Sequence, residues 1–456
     1  MNKIKNLWNI TYLSSMIELY SVAGLSVISF FIINFLFNPN EVGSVAIILA
    51  FIAIGQIFSE GGFQSYIIYK NYSIKEYSTL FWASFFLSII SSIFIGFIYF
   101  LYLDKFQLFH TVFIVITIVL SGLNSIPIAD FIKKNSYKTL FYINSISAFL
   151  GIAALLFFIF LGCGVDSILY QFILALLFQT ICIQVNSRIK PIFVFCSKSF
   201  YEAFSYSKFI FFQGIQERVV QRISYPVFAS FGVQFAGYLF NSDKLYNILI
   251  KKFTSSISRV YYTKISSLSN SNKVNFFYSQ FEKYNNNLYL VLILSHFIVF
   301  IFFIILPENW DTSGTYISVL LIEVWSFTIL NLSISFLNSL GLTKTTLRIT
   351  TFRNLIILVG LIISWIVYKP IIFIVFWSVS SILTTVYVYK YILKNTIYIK
   401  IRNIFYRAFY KMFLVHTMLV VSYLFNDFFY LILIILLFIY ERKRISVLFT
   451  KFSKHS

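Results

Sequence analysis

Eight basic residues of this 456-residue chain fall inside otherwise apolar stretches, and most of them cluster. Between Tyr206 and Phe231 lie Lys208, Gln213, Glu217, Arg218, Gln221 and Arg222. Arg218 and Arg222 are four apart, so on a helix they share a face, with Glu217 and Gln221 beside them. Further along, Lys244, Lys251 and Ser255, and from Ser255 both Ser258 and Arg259, are spaced by seven, four, three and four residues, which reads as one face, with Lys252 adjacent. Arg353 enters a later apolar stretch near one end. Such a set suits recognition of an anionic headgroup such as a pyrophosphate. Arg grips phosphate through two parallel bonds, and Lys acts as a point charge.

The first half carries acids instead: Glu18, Glu60 and Asp130. Glu60 precedes Gly61 and Gly62, which would loosen a helix there. A carboxylate inside a membrane either takes up a proton or cation or partners an arginine, here one from the second half. Glu323 stands in an apolar stretch with no partner readable from the sequence. His110, His296, His416 and His455 are scattered, and Cys163, Cys182 and Cys196 form no CxxC pair. There is no Ser/His/Asp set, no metal-ligand spacing and no disulfide signature.

The elements that must position these residues follow from composition. The chain is 59% apolar and 11% charged, with mean hydropathy +0.83. Soluble domains run near 45–50% apolar and 25% charged, so the reading is an all-α integral membrane protein with no sizeable soluble domain. Long unbroken apolar runs such as Phe85–Phe100 argue against a barrel, whose strands alternate. With about 20 apolar residues per span, six spans fall near 13–35, 44–67, 79–103, 108–130, 140–161 and 166–187. Six more fall near 206–230, 235–262, 288–306, 312–340, 347–367 and 370–393. Two C-terminal spans, near 409–425 and 428–440, complete fourteen, with twelve as the alternative count. Polar residues interrupt the seventh, eighth and tenth. The basic start of the chain followed by a long apolar run reads as an uncleaved first span.

Charge orients this set. With a cytoplasmic N-terminus, 26 of the 36 basic residues fall on inner connections and only Lys105 and Lys369 on outer ones. That bias places both termini in the cytoplasm and accounts for the net charge of +20 without nucleic acid. The longest polar stretches, Ser266–Asn287 and Asn395–Lys411, read as cytoplasmic. The second is either a helix lying in the membrane interface or a plain basic connector. A charge at the centre of a lone helix costs roughly 2.5–3.5 kcal/mol. The intramembrane cations therefore either pair and snorkel, or line a wet cationic cavity.

An internal repeat adds to this. Residues 18–43 and 212–237 both end in the pattern F-x4-[VA]-G, at Phe37–Gly43 and Phe231–Gly237, 194 residues apart. Six spans lie between them, and an even number preserves orientation, as in a parallel repeat about the membrane normal. The stretch NPNEVGSVAIILAFIAIGQIFSEGGFQSYIIYK, then YSTLFWASFFLS, then QFAGYLFNSDKLYNILIKKFTSSISRVYYTKISSL resembles bacterial O-antigen and capsule repeat-unit flippases. These belong to the multidrug/oligosaccharidyl-lipid/polysaccharide exporter superfamily. The resemblance covers most of residues 1–270 and thins to hydropathy beyond. It departs at Glu60, where Asp is usual, and at Ser230–Gln234.

The resemblance implies a MATE-like fold, with an N-lobe over 1–198, a C-lobe over 199–395, and two extra spans with a basic tail over 396–456. It implies alternating access for an undecaprenyl-pyrophosphate-linked oligosaccharide at a bacterial inner membrane, without enzymatic chemistry or a cofactor. The headgroup would meet Arg218, Arg222, Lys251, Arg259 and Lys244. Glu18, Glu60 and Asp130 would serve as partner or coupling acids, with a proton or sodium gradient as driving force. The expected partners are the lipid-linked glycan, membrane lipid, a glycan polymerase and a chain-length regulator. Two rivals stand beside this reading. A glycan polymerase or glycosyltransferase needs a substantial outer loop, and the outer loops here are short. A cation-coupled small-molecule exporter of the same fold would carry a more acidic and aromatic cavity.

Overall fold

The computed structural model describes residues 21–102 and 108–389, so Glu18 and the two C-terminal spans lie outside the described residues. Among the described residues every regular element is helical. The helices are α1 (21–36), α2 (Pro39–Glu60), α3 (Phe63–Tyr69), α4 (Ile74–Tyr102), α5 (Leu108–Lys133), α6 (Tyr137–Phe160) and α7 (Ser167–Asn186). They continue as α8 (Ser197–Ala229), α9 (Val233–Tyr246), α10 (Lys252–Ser266), α11 (Asn270–Ile305), α12 (Asp311–Leu320), α13 (Val324–Ser339), α14 (Thr343–Val367) and α15 (Pro370–Tyr387). Helices occupy the described parts of all twelve expected spans. The second is α2 and α3 broken at Gly61–Gly62, the eighth is α9 and α10 joined by a π turn, and the tenth is α12 and α13. Eight helical runs are long and apolar enough to cross a membrane. The seventh and eighth spans, which carry the charged clusters, are not among them, and the first and ninth give the shorter apolar helices Ser21–Leu36 and Val291–Ile305; the tenth is among the eight. The chain is a multi-pass, all-α membrane protein.

Local sequence explains the boundaries. Asn38 caps α2: its side chain accepts from the Glu41 amide, and the Glu41 carboxylate accepts from the Asn38 amide. Pro39 occupies the first helical position, where a missing N–H costs nothing. The helix ends where Gly61 and Gly62 take left-handed φ values of 57° and 71°. One expectation is corrected. Residues 270–287 of the Ser266–Asn287 stretch are not a loop but the first turns of α11, whose Phe277, Phe281, Tyr284 and Leu288 are buried at helical spacing.

Packing is inside-out, as lipid demands. On α4, Phe86, Ile90, Phe94, Phe97 and Leu101 face outward, while Ser84, Ser88, Ser91 and Ser92 are buried. Without a hydrophobic drive between helices, small residues permit close approach and dispersion holds the contact. A methyl on Gly122 of α5 would collide with Ser88 of α4.

The tightest crossing joins the two repeat glycines. A methyl on Gly43 of α2 would lie 3.0 Å from the carbonyl carbon of Val233 and nearer still to its oxygen. A methyl on Gly237 of α9 would lie 2.9 Å from the carbonyl carbon of Pro39. The contacts are reciprocal, and each pair of equivalents is offset by the same 194 residues. Nearby, Asn34 donates to Asn241 at 3.0 Å and the Trp310 indole donates to the Asn34 carbonyl at 3.0 Å. These contacts lie at the lysine-poor end of the bundle, opposite the end that carries Lys70, Lys133 and Lys134.

Candidate functional site

The seventh span, α8, organises the charged interior. At about 1.5 Å per residue its 33 residues extend roughly 50 Å, well beyond a hydrocarbon core of about 30 Å. Arg218 and Arg222 lie nearer its lysine-poor end but several turns inside it. Three acid–base groups radiate from α8 toward three different helices.

The first reaches α2. Arg218 Nη2 lies 3.4 Å and 3.5 Å from the two Glu60 carboxylate oxygens, with the side chains 39% and 30% exposed. A pair this open contributes about 0.2–1 kcal/mol. The second reaches α9. Arg222 Nη1 donates to the Tyr225 hydroxyl at 2.9 Å and to Asp243 Oδ2 at 3.0 Å, and Lys251 Nζ donates to Asp243 Oδ1 at 2.7 Å. Tyr225 donates to Asp243 as well, at 3.2 Å. Asp243 is 6% exposed, so it is a tight buried counter-ion, and two cations on one acid leave a formal charge of plus one. The third reaches α14. Arg353 sits between Glu217 at 3.5 Å and the fully buried Glu323 at 3.2 Å, with Ser381 also donating to Glu323. Its formal charge is minus one.

Asp243 escaped the sequence reading, which grouped Lys244 and Lys251 on one face. The π turn Asn247–Lys251 corrects this. One extra residue in the turn makes Lys251 an effective i+7 neighbour of Asp243, and so places it on the Asp243 face. Lys244 lies instead near the Phe240 ring, with no carboxylate within ion-pair distance among the described residues. Glu323, for which the sequence offered no partner, has Arg353 from the neighbouring helix. The Arg259 side chain lies outside the described residues.

The first six spans hold neutral polar pairs where the later ones hold charge. Gln171 donates to Ser29 at 2.8 Å, Gln56 to Ser121 at 2.8 Å, Gln179 to Asn144 at 2.8 Å and Asn124 to Thr180 at 2.9 Å. Asp130 is apart from the charged interior. At the lysine-rich end it accepts from Lys134 at 2.7 Å and from the Tyr72 hydroxyl. Beside it Lys70 joins α3 to α8 through Glu202 at 2.9 Å. Hydrogen bonds to Tyr66, then to Glu202, hold the exposed Lys70 ammonium above its ordinary pKa.

Residues 32–313 match the family model described as polysaccharide biosynthesis protein. Among solved structures, the chain is similar to the lipid II flippase MurJ in an inward closed conformation. The identity is 18% and the TM-score 0.63, over 96% of this chain and 99% of that one. It is similar to a MOP superfamily transporter from Pyrococcus furiosus, at 13% identity and TM-score 0.58, covering 82% of this chain and 92% of that one. An outward-facing MATE family multidrug transporter gives 12% identity and TM-score 0.59, with coverage of 82% and 92%. At these identities the likeness is one of fold. No curated protein matches the sequence.

Proposed function

This chain belongs to the polysaccharide biosynthesis protein family, and on that premise we propose that it is a flippase for a polyprenyl-pyrophosphate-linked oligosaccharide repeat unit. The headgroup enters between an N-lobe of residues 1–198 and a C-lobe of residues 199–395, while the polyprenyl tail stays in lipid. Rocking of the lobes exposes it on the opposite side of a bacterial inner membrane, where a glycan polymerase takes it up. No covalent step is involved. The reading places both termini and the lysine-rich end in the cytoplasm. An impermeant thiol reagent should then spare a cysteine at Asn272 and label one at Asn309 in whole cells.

One observation carries this reading: Arg218 and Arg222 stand one turn apart inside the bundle with 39% and 24% of their side chains exposed. Both bonds of Arg222 run through Nη1, which leaves Nη2 and Nε for an incoming phosphate. Charge-assisted bonds are worth about 1.5–3 kcal/mol each, so Arg218→Ala or Arg222→Ala should weaken headgroup binding about tenfold or more. Lys should rescue only in part, because it loses the fork. The assay is restored surface glycan in a flippase-null cell at matched membrane abundance. Full activity of both alanine variants would move the headgroup site elsewhere. The exporter reading draws on the open Glu60 carboxylate. Loss of gradient dependence in Glu60→Gln would assign Glu60 a coupling role in either transporter, and an unchanged dependence would leave it as the partner of Arg218 alone.

A further inference from the structure

Two carboxylates hold the two interior arginines of α8, and they hold them differently. Asp243 is buried, bonded at 2.7 Å and 3.0 Å to two cations, and braced by Tyr225. Glu60 is open, and both of its oxygens share one arginine nitrogen at 3.4 Å and 3.5 Å. That is not the two-nitrogen fork in which Arg binds carboxylate or phosphate most strongly. From this contrast we infer that Glu60 is an exchangeable counter-ion, which the anionic headgroup displaces from Arg218, so that binding unfastens α2 from α8. The inference rests on the headgroup reading above and adds to it how occupancy of the site is passed to the helices.

The surroundings of Glu60 fit a fastener. It is the last residue of α2, where the carbonyl end of the helix disfavours a carboxylate. Arg218 offsets that repulsion, and nothing in the helix itself does. Immediately after it, Gly61 and Gly62 hold φ values of 57° and 71°, a backbone that side-chain-bearing residues rarely adopt. The same joint rests on α8: a methyl on Gly62 would meet the Ser207 carbonyl at 3.1 Å and the Phe211 amide at 3.2 Å. The ion pair therefore spans a hinge at the place where the two helices touch. Once a phosphate takes Arg218, Glu60 is left at an unfavourable helix end beside a backbone free to turn. Asp243 meanwhile keeps Arg222 and Lys251 in place, so the second half of the clamp does not move. Arg218 and Arg222 are separated by about 6 Å along the helix, a span that two linked phosphates can bridge.

The experiment is a calorimetric titration of the full-length protein in detergent with geranyl pyrophosphate, a short polyprenyl diphosphate. Removing a competing counter-ion should make Glu60→Gln bind two- to fivefold more tightly than wild type. That ratio equals about 0.4–1 kcal/mol at 1.4 kcal/mol per decade, the range of an exposed ion pair. Glu60→Ala should behave alike, which keeps the test alive if one variant is poorly produced. Arg218→Ala should bind more weakly than either. Hydrogen exchange across residues 59–63 should rise on ligand addition in wild type and be raised in Glu60→Gln without ligand. If Arg218→Ala weakens binding but both Glu60 variants bind no more tightly than wild type, the displacement idea is overturned and the headgroup reading stands. If Arg218→Ala binds the probe as tightly as wild type, the displacement idea is overturned, and if Arg222→Ala does so too the headgroup reading falls with it.

Discussion

The crossing of α2 and α9 gives the sharpest quantitative handle on the fold. In Gly43→Ala the new methyl would sit 3.0 Å from the Val233 carbonyl carbon and closer to its oxygen. Carbon atoms in good contact stand about 3.5–4.0 Å apart. The neighbour is backbone and cannot swing aside, so the helices must part by roughly an ångström. Overpacking of this kind costs about 1–3 kcal/mol, a shift of about 5- to 150-fold away from the arrangement in which α2 and α9 cross. Gly237→Ala demands the same separation from the other side, against Pro39. Because one movement relieves both clashes, the double variant should cost clearly less than the sum of the two. Gly24→Ala is the control, since nothing lies within 4 Å of its added carbon. Spin labels on the exposed Asn40 and Ser230 would read the separation by pulsed electron resonance. The distribution should lengthen in each single variant and little further in the double. An unchanged distribution in Gly43→Ala, or strict additivity in thermal stability, would refute the shared crossing.

Two further outcomes follow from burial. Asp243→Asn leaves Arg222 and Lys251 without their acid at a site 6% exposed. It should destabilise the detergent-solubilised protein by about 3–5 kcal/mol, against 1 kcal/mol or less for Glu60→Gln; equal losses on thermal melting would contradict the tight-and-loose distinction. Arg353→Met strands Glu323, which is fully buried, and should cost about 3–5 kcal/mol. Adding Glu323→Met should recover most of it, because two apolar side chains replace the pair. A double variant no more stable than Arg353→Met would place the contribution of Arg353 elsewhere, on Glu217.

What the sequence made legible was set by periodicity. Apolar run lengths located the eight most apolar spans, and the four-residue spacing put Arg218 and Arg222 on one face of α8. Charge complementarity between the halves anticipated an arginine from the second half for Glu60. Features that depend on packing stayed hidden. Arg353 and Glu323 are 30 residues apart on neighbouring helices, and no local pattern joins them. The π turn after Tyr246 has neither Gly nor Pro to announce it, yet it decides which cation Asp243 meets. The first turns of α11 looked like loop because Asn, Ser and Lys dominate them. The spacing of Phe277, Phe281, Tyr284 and Leu288 carried a helical signal that polar composition outweighed.

The arrangement of these charges also bears on why they are tolerated at all. An unpaired cation at the centre of a helix costs roughly 2.5–3.5 kcal/mol, so isolated arginines on α8 would oppose insertion of the very span that carries them. Each interior arginine instead finds an acid on a different helix: Arg218 on α2, Arg222 on α9, and Arg353 of α14 on α8 itself through Glu217. Neighbouring residues of one helix thus reach three partners. A turn of α8 about its axis by even one residue, 100°, would carry one of Glu217 and Arg218 into the other's direction and disturb all three pairings together. A helix fastened this way has few acceptable orientations, and each is defined by which pairs are made. On the proposal made above, that is the property a two-state transporter needs: small differences in pairing, one of them weak enough for the headgroup to displace, would select between whole arrangements of the bundle.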